Sequence, residues 1–270
     1  MSHSPISIRA AAAGALIITA AFIPVRTEAL EEYTSPRNAT VDAHGARSAT
    51  IDAEAGILKI EGQAGISEVR VRGTARASRE SWLKDIKLIA ERRGDVVFIK
   101  VDIPDHDGWG GWNDNNYRGL DLIIEVPTTL KLDVNDGSGE AEFRNTGAID
   151  LEDGSGSIEI RDAHGDVRVR DGSGSILIDG VEGAVRVSDG SGEIDARNVT
   201  GNFTVEEDGS GSIDLAGIGG TVRVESDGSG NIDVDRVAGD FVVDSDGSGS
   251  IRYATVKGSV RIPDRGRRNR

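Results

Sequence analysis

Seven carboxylates recur through the second half of the chain and are the first place to look for chemistry. Asp136, Asp153, Asp171, Asp189, Asp208, Asp227 and Asp246 each open an Asp-Gly-Ser-Gly tetrapeptide, at steps of 17, 18, 18, 19, 19 and 19 residues. Carboxylates in such a row either ligate a cation or hydrogen-bond the turns they head. If successive repeats stack at the strand spacing of about 4.8 Å, each ionised pair repels by about 0.9 kcal/mol in a water-like dielectric. An Asx-type hydrogen bond to the turn's own amides contributes about 1.5–3 kcal/mol for a charged acceptor, so turn bonding outweighs the repulsion. Calcium takes about six to eight oxygens, and one carboxylate per repeat is a thin supply. The turn also lacks the Gly-Gly-x-Gly-x-Asp pattern of calcium β-rolls. The expectation is a structural Asp ladder, with no metal and no cofactor.

A second group is aromatic. The stretch from His106 to Tyr117 holds Trp109, Trp112 and Tyr117 among Gly, Asn and Asp. Such rings stack on a sugar or a peptide, or else cover the flank of the fold. Catalysis finds less support. The chain has no Cys, its four His (His3, His44, His106, His164) stand in unrelated contexts, and neither a serine elbow nor a zinc-ligand spacing occurs. No enzyme is expected, with a polysaccharide-active β-helix the minor alternative.

The elements that carry these groups follow from a second punctuation. Gly147, Gly165, Gly183, Gly201, Gly220, Gly239 and Gly258 run in phase with the Asp turns, leaving two short segments per repeat. Both segments alternate with period two, as in Ile158-Glu159-Ile160 and Val167-Arg168-Val169, which reads as strand. A further apolar residue stands two before the second glycine in most repeats: Val181, Val199, Ile218, Val237, Val256. The same turns at the same phase predict parallel coils stacked in register: an all-β parallel β-solenoid, or β-helix, of 18–19-residue coils over residues 136–262. Its outward columns are expected to show Glu159, Asp195, Asp214 and Asp233 on one sheet and Arg168, Arg186, Arg223 and Arg261 on the other. They serve either as cross-strand charge pairs or as a two-faced interaction surface.

Residues 30–135 lack the repeat but keep strand patterns, with a hairpin expected about Arg93-Gly94 and a short helical look from Ser78 to Asp85. This β-rich region is expected to cap the solenoid, because an open end leaves unpaired strand edges. Pro263 stops the last strand, and residues 263–270 form a basic tail, a solvated gatekeeper or a contact for anionic envelope polymer. Residues 1–29 read as a signal peptide cut near Ala29-Leu30. The apolar run from Ala10 to Val25 is shorter than the roughly 20 residues a membrane span needs, so no stable span is expected after cleavage.

The full chain of 270 residues carries a net charge of −15. The leader holds two Arg against one Glu, leaving the remainder near −16. From an acidic chain of this kind no nucleic-acid partner is expected.

A leader, then β-rich sequence ending in Leu122-Ile123-Ile124-Glu125-Val126-Pro127, then serial Ser-Gly turns with Ile-x-Ile strands, resembles the bacterial adhesin-like domains of unknown function related to the GIN head domain. The resemblance spans about residues 40–262. It implies a β-helical fold and a periplasmic or surface location, and supplies no catalytic residues. The function expected is a non-enzymatic exported scaffold that meets an envelope or surface partner, protein or glycan. The alternative is a periplasmic glycan- or peptide-binding accessory domain acting through Trp109 and Trp112.

Overall fold

The computed structural model describes residues 32–104 and 117–263. The expected leader with its cleavage step, and the Arg-rich tail after Pro263, lie outside the described residues.

Alternation decides the architecture. In Val167–Asp171 the odd positions are buried and the Arg between them are half-exposed, because β-branched side chains fit a pleated, one-sided surface. In chain order the strands are β1 (Tyr33–Asp42), β2 (Ser48–Ala55), β3 (Leu58–Gln63), β4 (Glu68–Ala77), β5 (Lys87–Arg93), β6 (Val96–Asp102), β7 (Arg118–Pro127), β8 (Lys131–Arg144), β9 (Ile149–Asp153) and β10 (Gly156–Ala163). The β9–β10 unit then recurs five more times, and the last strand is Val260–Arg261.

The result is the expected parallel β-solenoid. One sheet stacks strands of the β9 type, with Val167 beside Val185 and Asp171 beside Asp189. The other stacks strands of the β10 type, with Ile158 beside Ile176 and Ala163 beside Val181. Strand β8 belongs to both, bending between Asp136 and Gly139. Between the sheets lies a thin core of Ile, Val, Leu and a few Phe, including Phe143, Phe203 and Phe241 at 0 % exposure. The fifth inward position is real: Val181, Val199, Ile218 and Val237 are buried.

The parallel stack does not begin at Asp136. β2 pairs in parallel with both β6 and β8, and β3 with both β7 and β8. The N-terminal stretch thus supplies two further coils stacked out of chain order, β2–β3 lying between β6–β7 and β8. Beyond them β4 pairs antiparallel with β7, β1 with β4, and β5 with β6, the last being the expected hairpin about Gly94. Pro36 sits in the outermost strand β1 and removes an edge donor there. The expected helical look becomes a single 3₁₀ turn, Glu80–Asp85.

Candidate functional site

The Asp-Gly-Ser-Gly turns form one edge of the flattened coil, and the Asp side chains point into the fold. The strand phase causes this. In Val167, Val169, Asp171 and in Val185, Val187, Asp189 the Asp falls on the same parity as the inward residues. Asp136, Asp153, Asp171, Asp189, Asp208 and Asp227 are each 7 % exposed or less. They are neighbours in register from coil to coil, and bridges through Asp208, Asp227 and Asp246 extend the column.

Hydrogen bonding inside the turns is uneven. The Ser173 amide donates to Asp171 Oδ1 and the Ser191 amide to Asp189 Oδ1, each at 3.1 Å. For Asp136, Asp153 and Asp208 neither carboxyl oxygen has a partner in hydrogen-bond geometry. Burial is the main cause pushing their carboxyls up, to about 7 for Asp136 and Asp208 and about 6 for Asp153, with neighbouring Asp adding to it. Asp189 is likewise raised to about 6, and Asp171 is raised despite the Ser173 and Gly172 amides. The water-like dielectric expected for this column therefore does not apply. At an effective dielectric of about 20, two charges about 4.8 Å apart repel by about 3.5 kcal/mol, and every inner Asp has two such neighbours. One Asx bond does not offset that, so neutralisation of part of the column is the lower-energy state.

The two glycine amides and the Asp and Ser carbonyls of the same turns are engaged between coils. The Gly154 amide donates to Asp136 O and the Gly139 amide to Ser155 O, each at 3.0 Å, and the pattern repeats along the stack. The last glycine of each tetrapeptide lies over its predecessor's carbonyl. At Gly211, with φ +149°, an added Cβ would fall 1.4 Å from Gly192 O, so no other residue fits. With the Asp and Ser carbonyls taken, few oxygens are left to complete a cation's shell. Among the described residues no group of three or more Asp, Glu, His or Cys is placed to hold a metal ion.

The described residues that flank the aromatic stretch, Pro104 and Tyr117, lie at this same edge. β6 and β7 lie in different sheets, so the end of β6 and the start of β7 stand at the edge where later coils place an Asp-Gly-Ser-Gly turn. Trp109 and Trp112 lie outside the described residues. Tyr117, 44 % exposed, stands where the chain returns, and its amide donates to Ser78 Oγ at 3.2 Å. Sequence reasoning passed over the third Trp. Trp82, on the 3₁₀ turn, is flanked by the Arg118 guanidinium at 3.8 Å and that of Arg79 at 4.5 Å. Arg118 also donates to Pro104 O, so this stack braces both roots of the segment. Arg79 is local to the turn, but the pairing of Trp82 with Arg118 on the distant strand β7 left no sequence signal.

The outward columns are less uniform than expected. On one sheet Glu159 is followed by Leu177, then Asp195, Asp214, Asp233 and finally Arg252. On the other, Thr204 and Val242 interrupt Arg168, Arg186, Arg223 and Arg261. Arg197 binds Asp195 through both Nε and Nη2, at 3.1 and 2.7 Å, and Arg252 reaches Asp233 at 3.2 Å. Between them Asp214 is raised, first by burial and then by Asp233, Glu193 and Asp195. Asp195, Arg197, Asp214, Asp233 and Arg252, with Tyr253 at 49 % exposure, line an open recess of about 450 Å³.

No family model matches the chain, and no curated protein matches it. Solved structures with a similar course of chain include three proteins. One is a "putative cell adhesion protein" from Clostridium sporogenes (11 % identity, 85 % of this chain and 99 % of that one, TM-score 0.32). Another is a "putative adhesin" from Bacteroides fragilis (11 %, 86 % and 98 %, TM-score 0.32). The third is a "putative lipid binding protein" from Parabacteroides distasonis (14 %, 84 % and 97 %, TM-score 0.43).

Proposed function

We propose that the protein is a non-enzymatic, exported scaffold of the cell envelope or surface that presents a rigid, charged β face to a macromolecular partner. The observation that carries this reading is the recess on the outward sheet. A stiff in-register stack holds Asp195, Asp214 and Asp233 in line, with Arg197, Arg252 and Tyr253 around them. Such a face suits a repeating polar partner, a glycan or an extended peptide with amine or hydroxyl groups at a regular spacing. Export is inferred from the leader-like residues 1–29. Replacing Asp214 with Asn and Tyr253 with Ala together should lower binding of the purified chain to whole cells and to isolated envelope polysaccharide by about tenfold, as expected for the loss of about 1.4 kcal/mol. Unchanged binding would refute the recess as the contact.

A second reading places the contact at the segment bearing Trp109 and Trp112. It is favoured by exposed Tyr117 and by the Arg79–Trp82–Arg118 stack, which fixes the segment's roots. Trp109→Ala with Trp112→Ala should then abolish the same binding while the recess variant leaves it intact.

A further inference from the structure

We propose that the buried Asp column is a proton-sharing ladder, in which a protonated carboxyl in one coil donates to the carboxylate of the next, so that the solenoid is a pH-responsive body stiffest in mild acid. Three independent features of the geometry lead there. The carboxyls are sealed from solvent, with Asp136, Asp189, Asp208 and Asp227 only 1–2 % exposed. Both oxygens of Asp136, Asp153 and Asp208 lack a partner in full hydrogen-bond geometry, the amides of Gly137, Gly154, Ser155 and Ser210 lowering their pKa only in part, and a buried acceptor without a well-aligned donor is costly. The parallel register repeats them at about 4.8 Å. A carboxyl group spans about 2.2 Å between its oxygens, given C–O bonds near 1.23 Å. If the groups align along the stack, a gap of about 2.6 Å remains, the length of a strong O–H···O⁻ bond.

Among the described residues, no cation figures among the groups that act on Asp136, Asp153, Asp171, Asp189 and Asp208. The ionisable groups acting on Asp136, Asp153, Asp189 and Asp208 are fellow members of the column: Asp153, Asp171, Asp171, and Asp227 with Asp189, respectively. On Asp171 only local amides act besides burial. At the N-terminal end the next residue in register is Glu54, itself raised by burial and by Asp52. Across the thin core the side chains packed between the sheets are Ile, Val, Leu and Phe. A cation would replace the protons only by finding oxygens that the turn has already committed to the next coil.

The linkage has a definite sign. These carboxyls are raised above the ordinary value of 3.8, to about 6–7 where a value stands. Between pH 4 and 7 the native chain thus binds more protons than the unfolded one, and stability falls as pH rises through that window. Groups held low, such as Glu125, Glu142 and Asp240, oppose this only nearer pH 4 and below.

The test uses the full mature chain in excess EDTA and, separately, in millimolar calcium. The melting temperature should fall by about 5 °C or more from pH 5 to pH 8 in both, a size set by about 2–4 °C per kcal/mol for a chain of this length. Asp208→Asn, which keeps shape and adds a donor without charge, should raise the melting temperature at pH 8 and flatten the slope. If that variant fails to fold, the wild-type chain unfolded by guanidinium in unbuffered solution at pH 6 should release about two or more protons. Proton uptake, or none, would overturn the proposal. So would a calcium-dependent rise of about 10 °C that Asp208→Asn removes, which would make the column a cation site by mass action.

Discussion

The two edges of the flattened coil solve the same problem in opposite ways. Each must turn the chain between sheets while coils stay about 4.8 Å apart, and each stacks glycine on the carbonyl of the coil before. At the edge of Gly165, Gly183 and Gly201 the polar side chains stay outside and cap the next coil. Asp166 Oδ1 accepts from the Ala184 amide, Asn202 Oδ1 from Thr221 and Asp240 Oδ1 from Ser259, each at 2.8 Å. His164 bridges Glu182 and Asn145 there as well. The other edge turns its Asp inward and leaves several without a well-aligned donor. The consequence is visible in two Asp of one fold: hydrogen bonds from the Ser259 amide and hydroxyl hold Asp240 low, and burial lifts Asp208 to about 7. Solvent access and donor supply, not residue type, decide whether a carboxylate here stabilises as an ion.

The largest effect that separates the edges is steric. Gly211→Ala should cost more than about 3 kcal/mol or prevent folding, because its Cβ would enter the Gly192 carbonyl at a strained φ. Gly183→Ala, whose Cβ would meet Gly165 C at 2.6 Å with no positive φ, should cost less. Denaturant midpoints of the two variants check the order, and equal losses would remove the distinction.

Next in size is the brace at the aromatic segment. Trp82→Ala should destabilise by about 1–3 kcal/mol, through lost burial and two cation–π contacts. Hydrogen exchange should show the loss concentrated in β7 and the 3₁₀ turn and absent from the distal coils.

A smaller and more diagnostic difference concerns the two Asp at pH 8. Asp240→Asn should lower the melting temperature slightly, since it weakens a charged acceptor for the Ser259 amide. Asp208→Asn should raise it. A shared sign would mean that the edges do not differ as described.

Much of this was legible in the sequence. The seven tetrapeptides, the second glycine column and the period-two strands led directly to the parallel stack and its five inward positions. The inward aim of the Asp was also written there. Val167, Val169 and Asp171 share one parity, but a charged residue before Gly-Ser-Gly reads as turn chemistry, and the parity was overlooked. A left-handed column before the second glycine was missed in the same way. Asn145, Asp162, Gly180, Asn198 and Gly217 all adopt positive φ, and Asn, Asp and Gly are the types that tolerate it; Arg236 and Thr255 at the same position give no such hint. The order of the N-terminal coils had no signal at all. β2–β3 stack between β6–β7 and β8 through contacts between segments that share no repeat.

The central claim, that a buried carboxyl column carries protons at neutral pH, is tested most directly by ¹³C chemical shifts of the Asp side-chain carboxyls followed from pH 3 to pH 9 in the folded chain. Asp→Asn variants assign the resonances. The account predicts that Asp136 and Asp208 titrate near 7, Asp153 and Asp189 near 6, and Asp240 below the ordinary carboxylate range. Titration of every Asp below about 4.5, inside the ordinary carboxylate spread, would contradict it.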